Sequence, residues 1–233
     1  MNNKRKVFVV AVAVCLIAIL SLSSLAWFSD ADAVTNNFVV SGGDGDSPDK
    51  IFSIDVMEKV DMDGDGVADA TVGANTDPSE YTYKHIVPGD MLYKRPSAQN
   101  TGAYAQWVRF KVTIDNANAW VAVMQQYGYE VHDLMYLEDK TTKLTESPDW
   151  TFAAADTDVV DNKLIYTFYY DKVVEPTDWV VSFTYVKIPE ELTQYDMDLL
   201  ENGKFQMVVT GEAIQADNTG DNAYDAFMKV LGK

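Results

Sequence analysis

Val108-Arg109-Phe110-Lys111-Val112-Thr113-Ile114-Asp115 alternates apolar and polar side chains without a break. Successive side chains of a strand point to opposite faces, so this stretch has one face to bury and one to leave in water. Three of its four apolar residues are β-branched, which suits a pleated, half-buried surface. The same period of two recurs on either side. Phe52, Ile54 and Val56 alternate with Ser53, Asp55 and Met57, and Leu164, Tyr166, Phe168 and Tyr170 form another such set. Trp179, Val181, Phe183 and Tyr185 stand against Ser182 and Thr184, and Phe205, Met207 and Val209 against Gln206 and Thr210. Tyr81 to Val87 and Val131 to Leu137 carry the pattern more weakly. Pro88-Gly89-Asp90, Asn100-Thr101-Gly102, Asp161-Asn162 and Pro176-Thr177-Asp178 punctuate these runs with turn chemistry.

Three stretches break the alternation with helical signals. Ala117 to Tyr127 is rich in good helix formers. Thr193 to Leu200 starts with a capping residue, and Asn222 to Leu231 spaces Tyr224, Phe227, Met228 and Leu231 on one helical face before Gly232. Many strands with few helices predict a mainly β fold, a jelly-roll-like antiparallel sandwich with a few short peripheral helices.

The chain has 233 residues and a formal charge of −18. That length supports a substantial core without covalent staples. Strong acidity argues against nucleic acid as a partner, because its binders carry a basic footprint. It also argues against attraction to anionic lipid. With 47% hydrophobic and 12% aromatic residues, the composition is that of a folded protein.

Residues 1–26 read as a secretory signal peptide. Lys4, Arg5 and Lys6 precede the apolar run Val7 to Leu20, and Ser24-Leu25-Ala26 has the small-x-small form of a cleavage site. The run is short for a membrane span, which needs about 20 residues. Cleavage between Ala26 and Trp27 would leave 207 residues at a formal charge of −21, since three cations and no acid depart. Cys15, the one cysteine, would depart too. The mature protein would then lack disulfides, thiolate metal sites and cysteine nucleophiles. Residues 27–50 form an N-terminal segment and a Gly/Asp/Ser-rich linker, and residues 51–233 the β domain. Membrane contact is expected only through the signal peptide, and the mature protein is expected outside the cell.

The sharpest chemical motif is Asp61-Met62-Asp63-Gly64-Asp65-Gly66-Val67-Ala68-Asp69. Ca2+ takes six to eight hard oxygens, which a tight loop supplies from alternate carboxylates. Asp61, Asp63 and Asp65 fall at positions 1, 3 and 5 of such a loop, the Val67 carbonyl at 7 and Asp69 at 9. Position 12 is Val72 where a helix–loop–helix site needs glutamate, and the flanks read as strands. The motif therefore predicts a short aspartate-rich calcium loop with weak affinity, about 10⁻⁴–10⁻³ M. A solvated acidic hairpin turn is the competing interpretation.

No specific catalytic motif stands out, and among so many acids a carboxylate pair is uninformative. His85 and His132 lie in no His-Glu-x-x-His pattern, and no Gly-x-Ser-x-Gly elbow or phosphate loop occurs. Tyr166, Phe168, Tyr169 and Tyr170 are either core residues or a sugar-binding face, with the core favoured because consecutive aromatics serve both faces.

Leu25-Ala26-Trp27-Phe28-Ser29-Asp30-Ala31-Asp32-Ala33-Val34-Thr35-Asn36-Asn37-Phe38 resembles the signal-peptide junction of the TasA/camelysin family, whose members are processed by a SipW-type signal peptidase. Three later blocks also resemble that family. They are Ile86 to Asp90 followed by Pro96, Asn100-Thr101-Gly102 and Val108-Arg109, then Val186 to Thr193, then Glu212 to Ala216. The resemblance implies a secreted biofilm matrix protein with a jelly-roll body that assembles into fibres of itself, head to tail, by donor-strand exchange. In this chain Phe28, Val34, Phe38 and Val40 would be the apolar anchors of the exchanged strand. Camelysin-like metallopeptidase activity is the alternative the family suggests, and nothing in the residues carries it. A monomeric calcium- or carbohydrate-binding surface module is a further alternative. The aspartate-rich loop is a departure and is not carried over from that resemblance. The reading is thus of a structural protein rather than an enzyme.

Overall fold

The computed structural model describes residues 53–61, 67–73, 83, 86–154, 157–201, 206–217 and 219–232. Among these described residues, eleven strands form two antiparallel sheets packed face to face, a jelly-roll-like sandwich with three short helices. The first sheet contains β1 (Ile54–Val60), β2 (Ala70–Gly73), β3 (Met91–Asn100), β5 (Met135–Tyr136), β9 (Trp179–Val181) and β10 (Tyr185–Lys187). Its order is β2-β1-β3-β10-β5, with β9 also paired to β3. The second sheet contains β4 (Gln106–Asp115), β6 (Trp150–Phe152), β7 (Asp158–Val160), β8 (Lys163–Val174) and β11 (Met207–Gln215). Its order is β11-β4-β8-β6, with β7 also paired to β8.

β4 is the hub. Val108, Phe110, Val112 and Ile114 are each fully buried and face the first sheet. Its polar face differs from the sequence expectation. Trp107 and Arg109 are buried as well, because a helix covers that side. The helix, α3 (Ala223–Leu231), lays Ala223, Ala226 and Phe227 on Trp107, Tyr169 and Ile214 in a small second core. Asn222 caps it by accepting from the Asp225 amide at 2.9 Å, and Gly232 ends it at φ 68°. Helix α1 (Ala117–Gln126) buries Trp120, Val123 and Met124. Helix α2 (Gln194–Glu201) starts from a reciprocal cap in which the Asp196 amide donates to Thr193 Oγ1 and the Thr193 amide to Asp196. All three helices fall where the sequence predicts them.

The expected strand from Trp179 to Tyr185 is split, and its faces are reassigned. Val180 is buried, whereas Trp179 is 47% exposed. β9 and β10 keep a common register on β3, Ser97 opposite Val181 and Tyr93 opposite Tyr185. The ladder fails between them for two local reasons. Ser182 donates to the Pro96 carbonyl at 3.0 Å, but Pro96 has no N–H to return. Thr184 turns its amide to Tyr136 O instead, at 2.8 Å. Val131 to Leu137 is also corrected. Val131–Leu134 is a 3₁₀ turn whose Val131 and Leu134 are buried, and only Met135 and Tyr136 are strand.

Turn chemistry is followed closely. Asp161 (φ 51°) and Asn162 (φ 60°) make the two-residue left-handed turn that joins β7 to β8. Gly89 (φ 93°) sits in the turn closed by the Asp90 amide on Val87 O at 3.1 Å. Thr177 (φ 74°) occupies the same kind of position behind Pro176, where a β-branched residue is strained. Thr177→Gly should therefore stabilise the fold by about 1 kcal/mol. A denaturant melt checks this; an unchanged or lower midpoint contradicts it.

Candidate functional site

The aspartate-rich motif is the connection between β1 and β2. Val60 pairs with Ala70, and the Asp69 amide donates to Val60 O at 2.8 Å. The hairpin mouth thus holds Asp61 and Asp69, the first and ninth loop positions, on adjacent strand ends. Asp61 is buried and its amide donates to Tyr93 O at 3.4 Å, whereas Val67 and Asp69 are exposed. Asp63 and Asp65 lie outside the described residues. Among the described residues, no three His, Cys, Asp or Glu side chains gather as a metal site would need.

One charged pair near this mouth carries no sequence signal. Lys94, opposite Val60, reaches Glu58 Oε1 at 2.5 Å, and both side chains are buried. Alternation puts Glu58 on the inward face of β1 with Ile54 and Val56, a face where a lone charge would not be expected without its partner. The diagonal placement of Glu58 and Lys94 across two paired strands appears only once register is known.

A second charged cluster ties the sheet to its helix. Arg109 Nε donates to Glu212 Oε2 at 2.6 Å, and Lys111 Nζ to Glu212 Oε1 at 2.7 Å. The Arg109 guanidinium lies 4.3 Å from the Phe227 ring centroid. Burial pushes the Glu212 carboxyl up, but the Lys111 hydrogen bond and the Arg109 charge outweigh it and hold the group below its ordinary value.

His85 lies outside the described residues. His132 stacks on Phe152 at 4.6 Å and meets the edge of Tyr166 at 5.3 Å. Burial lowers its pKa, against the opposing charges of Asp133 and Glu130. Tyr166, Phe168 and Tyr169 are buried, as the core interpretation of those aromatics expects, and Tyr170 packs on Trp150 at 5.0 Å. These rings therefore do not make an exposed sugar platform. Cleavage residues Ala26 and Trp27, and the strand anchors Phe28, Val34, Phe38 and Val40, lie outside the described residues.

What the described body offers such a strand is a sheet edge. β11 hydrogen-bonds to β4 along its whole length, Met207 opposite Ile114 through Gln215 opposite Gln106. Among the described residues, no strand lies on the outer side of Met207–Gly211. No helix of the described residues is long and apolar enough to cross a membrane. The chain matches no family model, no curated protein and no solved structure.

Proposed function

We propose that the chain is a secreted structural protein of an extracellular biofilm matrix, which assembles head to tail by donor-strand exchange. The observation that carries this is the resemblance of Leu25–Phe38 to the TasA/camelysin junction, together with the three blocks between Ile86 and Ala216. The antiparallel sandwich supports it, since an exposed sheet edge offers backbone groups that an added strand satisfies. A SipW-type signal peptidase would release the strand by cutting before Trp27. A head-to-tail contact that does not close on itself makes a filament.

The test is electron microscopy of the mature chain, beginning at Trp27, after concentration. Fibres are expected, and a chain lacking residues 27–40 should form none. Equal fibre formation by the shortened chain overturns the mechanism. A subunit near −21 repels its copies, so salt or divalent cations should promote assembly.

Calcium in the β1–β2 connection is the second part of the proposal, favoured by the convergence of Asp61 and Asp69 at the hairpin mouth. At one hundred times Kd, the ion should stabilise the fold by about 2.7 kcal/mol. Thermal melts in calcium and in chelator measure this. A shift that survives Asp65→Ala assigns the ion elsewhere.

A further inference from the structure

The two sheets do not end together. β1 lies over β11: a Cβ placed on Gly211 would stand 2.5 Å from Val56 Cγ2. At the other side of β1, Asn100 at the end of β3 donates to Val174 O of β8 at 2.8 Å, so β3 lies over β8 there. The sheets therefore run in the same lateral direction, β1 above β11 and β3 above β8. β2 continues the first sheet beyond β1, on the side where β11 is the last described strand of the second sheet. Among the described residues, one sheet thus overhangs the other by one strand. A strand laid beside β11 would bond to its edge and lie beneath β2.

The edge is built to accept such a strand rather than refuse it. Met207-Val208-Val209-Thr210-Gly211 contains no charge, no proline and no bulge. Those are the devices by which edge strands usually block addition. Met207, Val209 and Gly211 face inward and are buried, while Val208 and Thr210 are half-buried on the outer face.

Where the N-terminal segment joins the body points to its use here. Ser53 O accepts from Gly102 N at 3.1 Å and from Gln106 Nε2 at 2.9 Å. Gln106 pairs with Gln215, the end of β11. The chain before Ser53 thus meets the body at the Gln215 end of β11, about 13 Å along the strand from Gly211. A strand beside a nine-residue partner spans about 30 Å. The twelve residues from Ser41 to Phe52 reach about 40 Å extended, so a segment that can span its own edge can also be exchanged onto a neighbour's, which the test below separates. Val34-Thr35-Asn36-Asn37-Phe38-Val39-Val40 brings Val34, Phe38 and Val40 to one face of a strand.

We propose that the edge of β11 at Met207–Gly211, beneath the overhanging β2, is the acceptor for the Val34–Val40 segment of a neighbouring copy. This rests on the donor-strand reading and names the surface that reading leaves open. Apolar anchors would enter between the sheets, and the backbone would continue the second sheet.

Hydrogen exchange by mass spectrometry on the full mature chain tests it, beside Phe38→Asp and Thr210→Lys. On assembly, the outward amides of Met207–Gly211 should slow at least tenfold. Phe38→Asp should abolish that slowing, and Thr210→Lys should suppress fibres while leaving the monomer's melting point within a few degrees. Fibres that protect another edge, or Met207–Gly211 amides equally slow in Phe38→Asp, overturn the acceptor. The first of those results leaves donor-strand assembly intact. If no fibres form, the assembly reading fails. Slowing in the monomer that depends on Phe38 then assigns the edge to the chain's own segment and overturns the intermolecular acceptor; fast exchange throughout overturns the acceptor altogether. In fibres, cross-linking a mixture of light- and heavy-isotope chains between positions 38 and 209, each changed to cysteine, should give mixed-mass pairs. Only unmixed pairs would overturn the neighbouring-copy assignment.

Discussion

Glu212→Ala should destabilise the protein by about 3–5 kcal/mol, because it leaves a buried guanidinium without its carboxylate. Arg109 is 6% exposed and lies against the Phe227 ring, so it cannot simply swing into water. Lys111 is one-third exposed and will recover hydration, so the loss falls mainly on Arg109. The pH dependence separates this from lost packing. The folded carboxyl of Glu212 is held below its ordinary value near 4.5. Its contribution is therefore complete above that ordinary value and is lost as pH falls through the folded one. Denaturant melts of the wild type and Glu212→Gln should differ most at neutral pH and converge in acid. A gap constant from neutral pH to below pH 3 would show that the ion pair is not the cause.

Gly211→Val should cost about 3 kcal/mol, at the upper end for overpacking. The glycine is needed for space rather than for backbone freedom. Its hydrogen stands where any Cβ would press on Val56, a β-branched residue that is 1% exposed and has few rotamers to offer. Val56→Ala removes the obstructing methyls, so the double variant Val56→Ala/Gly211→Ala should be more stable than the sum of its single changes implies. Strict additivity in a double-mutant cycle would mean that the sheets do not meet there.

The strands legible in the sequence are those whose alternation is uninterrupted. Val108 to Asp115 and Leu164 to Tyr170 present long period-two runs, and both are central strands of the second sheet. β3 is not legible in the sequence, because Met91-Leu92-Tyr93-Lys94-Arg95-Pro96 alternates poorly and holds a proline mid-strand. Its inward face is partly charged, with Lys94 satisfied by Glu58 from β1. Pairings of that kind join residues 36 apart, and no local window contains them. Trp179 was placed on the wrong face because aromatic size reads as burial when a strand is taken alone. The helix caps, in contrast, are local events of three or four residues, and Thr193, Asn222 and Gly232 mark them correctly. In the candidate site, the hairpin position of the aspartate motif follows from its strand-like flanks. The overhang of the first sheet over β11 depends on how two sheets align, which no spacing in the chain records.

Arg109 has its counter-charge 103 residues further along the chain, and the ring that covers it lies later still. During synthesis β4 must therefore wait, with one edge and one face unfinished, until β11 and α3 have been made. For a chain exported unfolded, as the proposed secretion would require, such a delay is useful. The polypeptide cannot lock its second sheet before β11 and α3 exist, and the step that completes the sheet also creates its outer edge at β11. On this order of events, premature pairing of that edge is avoided by timing rather than by a protecting residue.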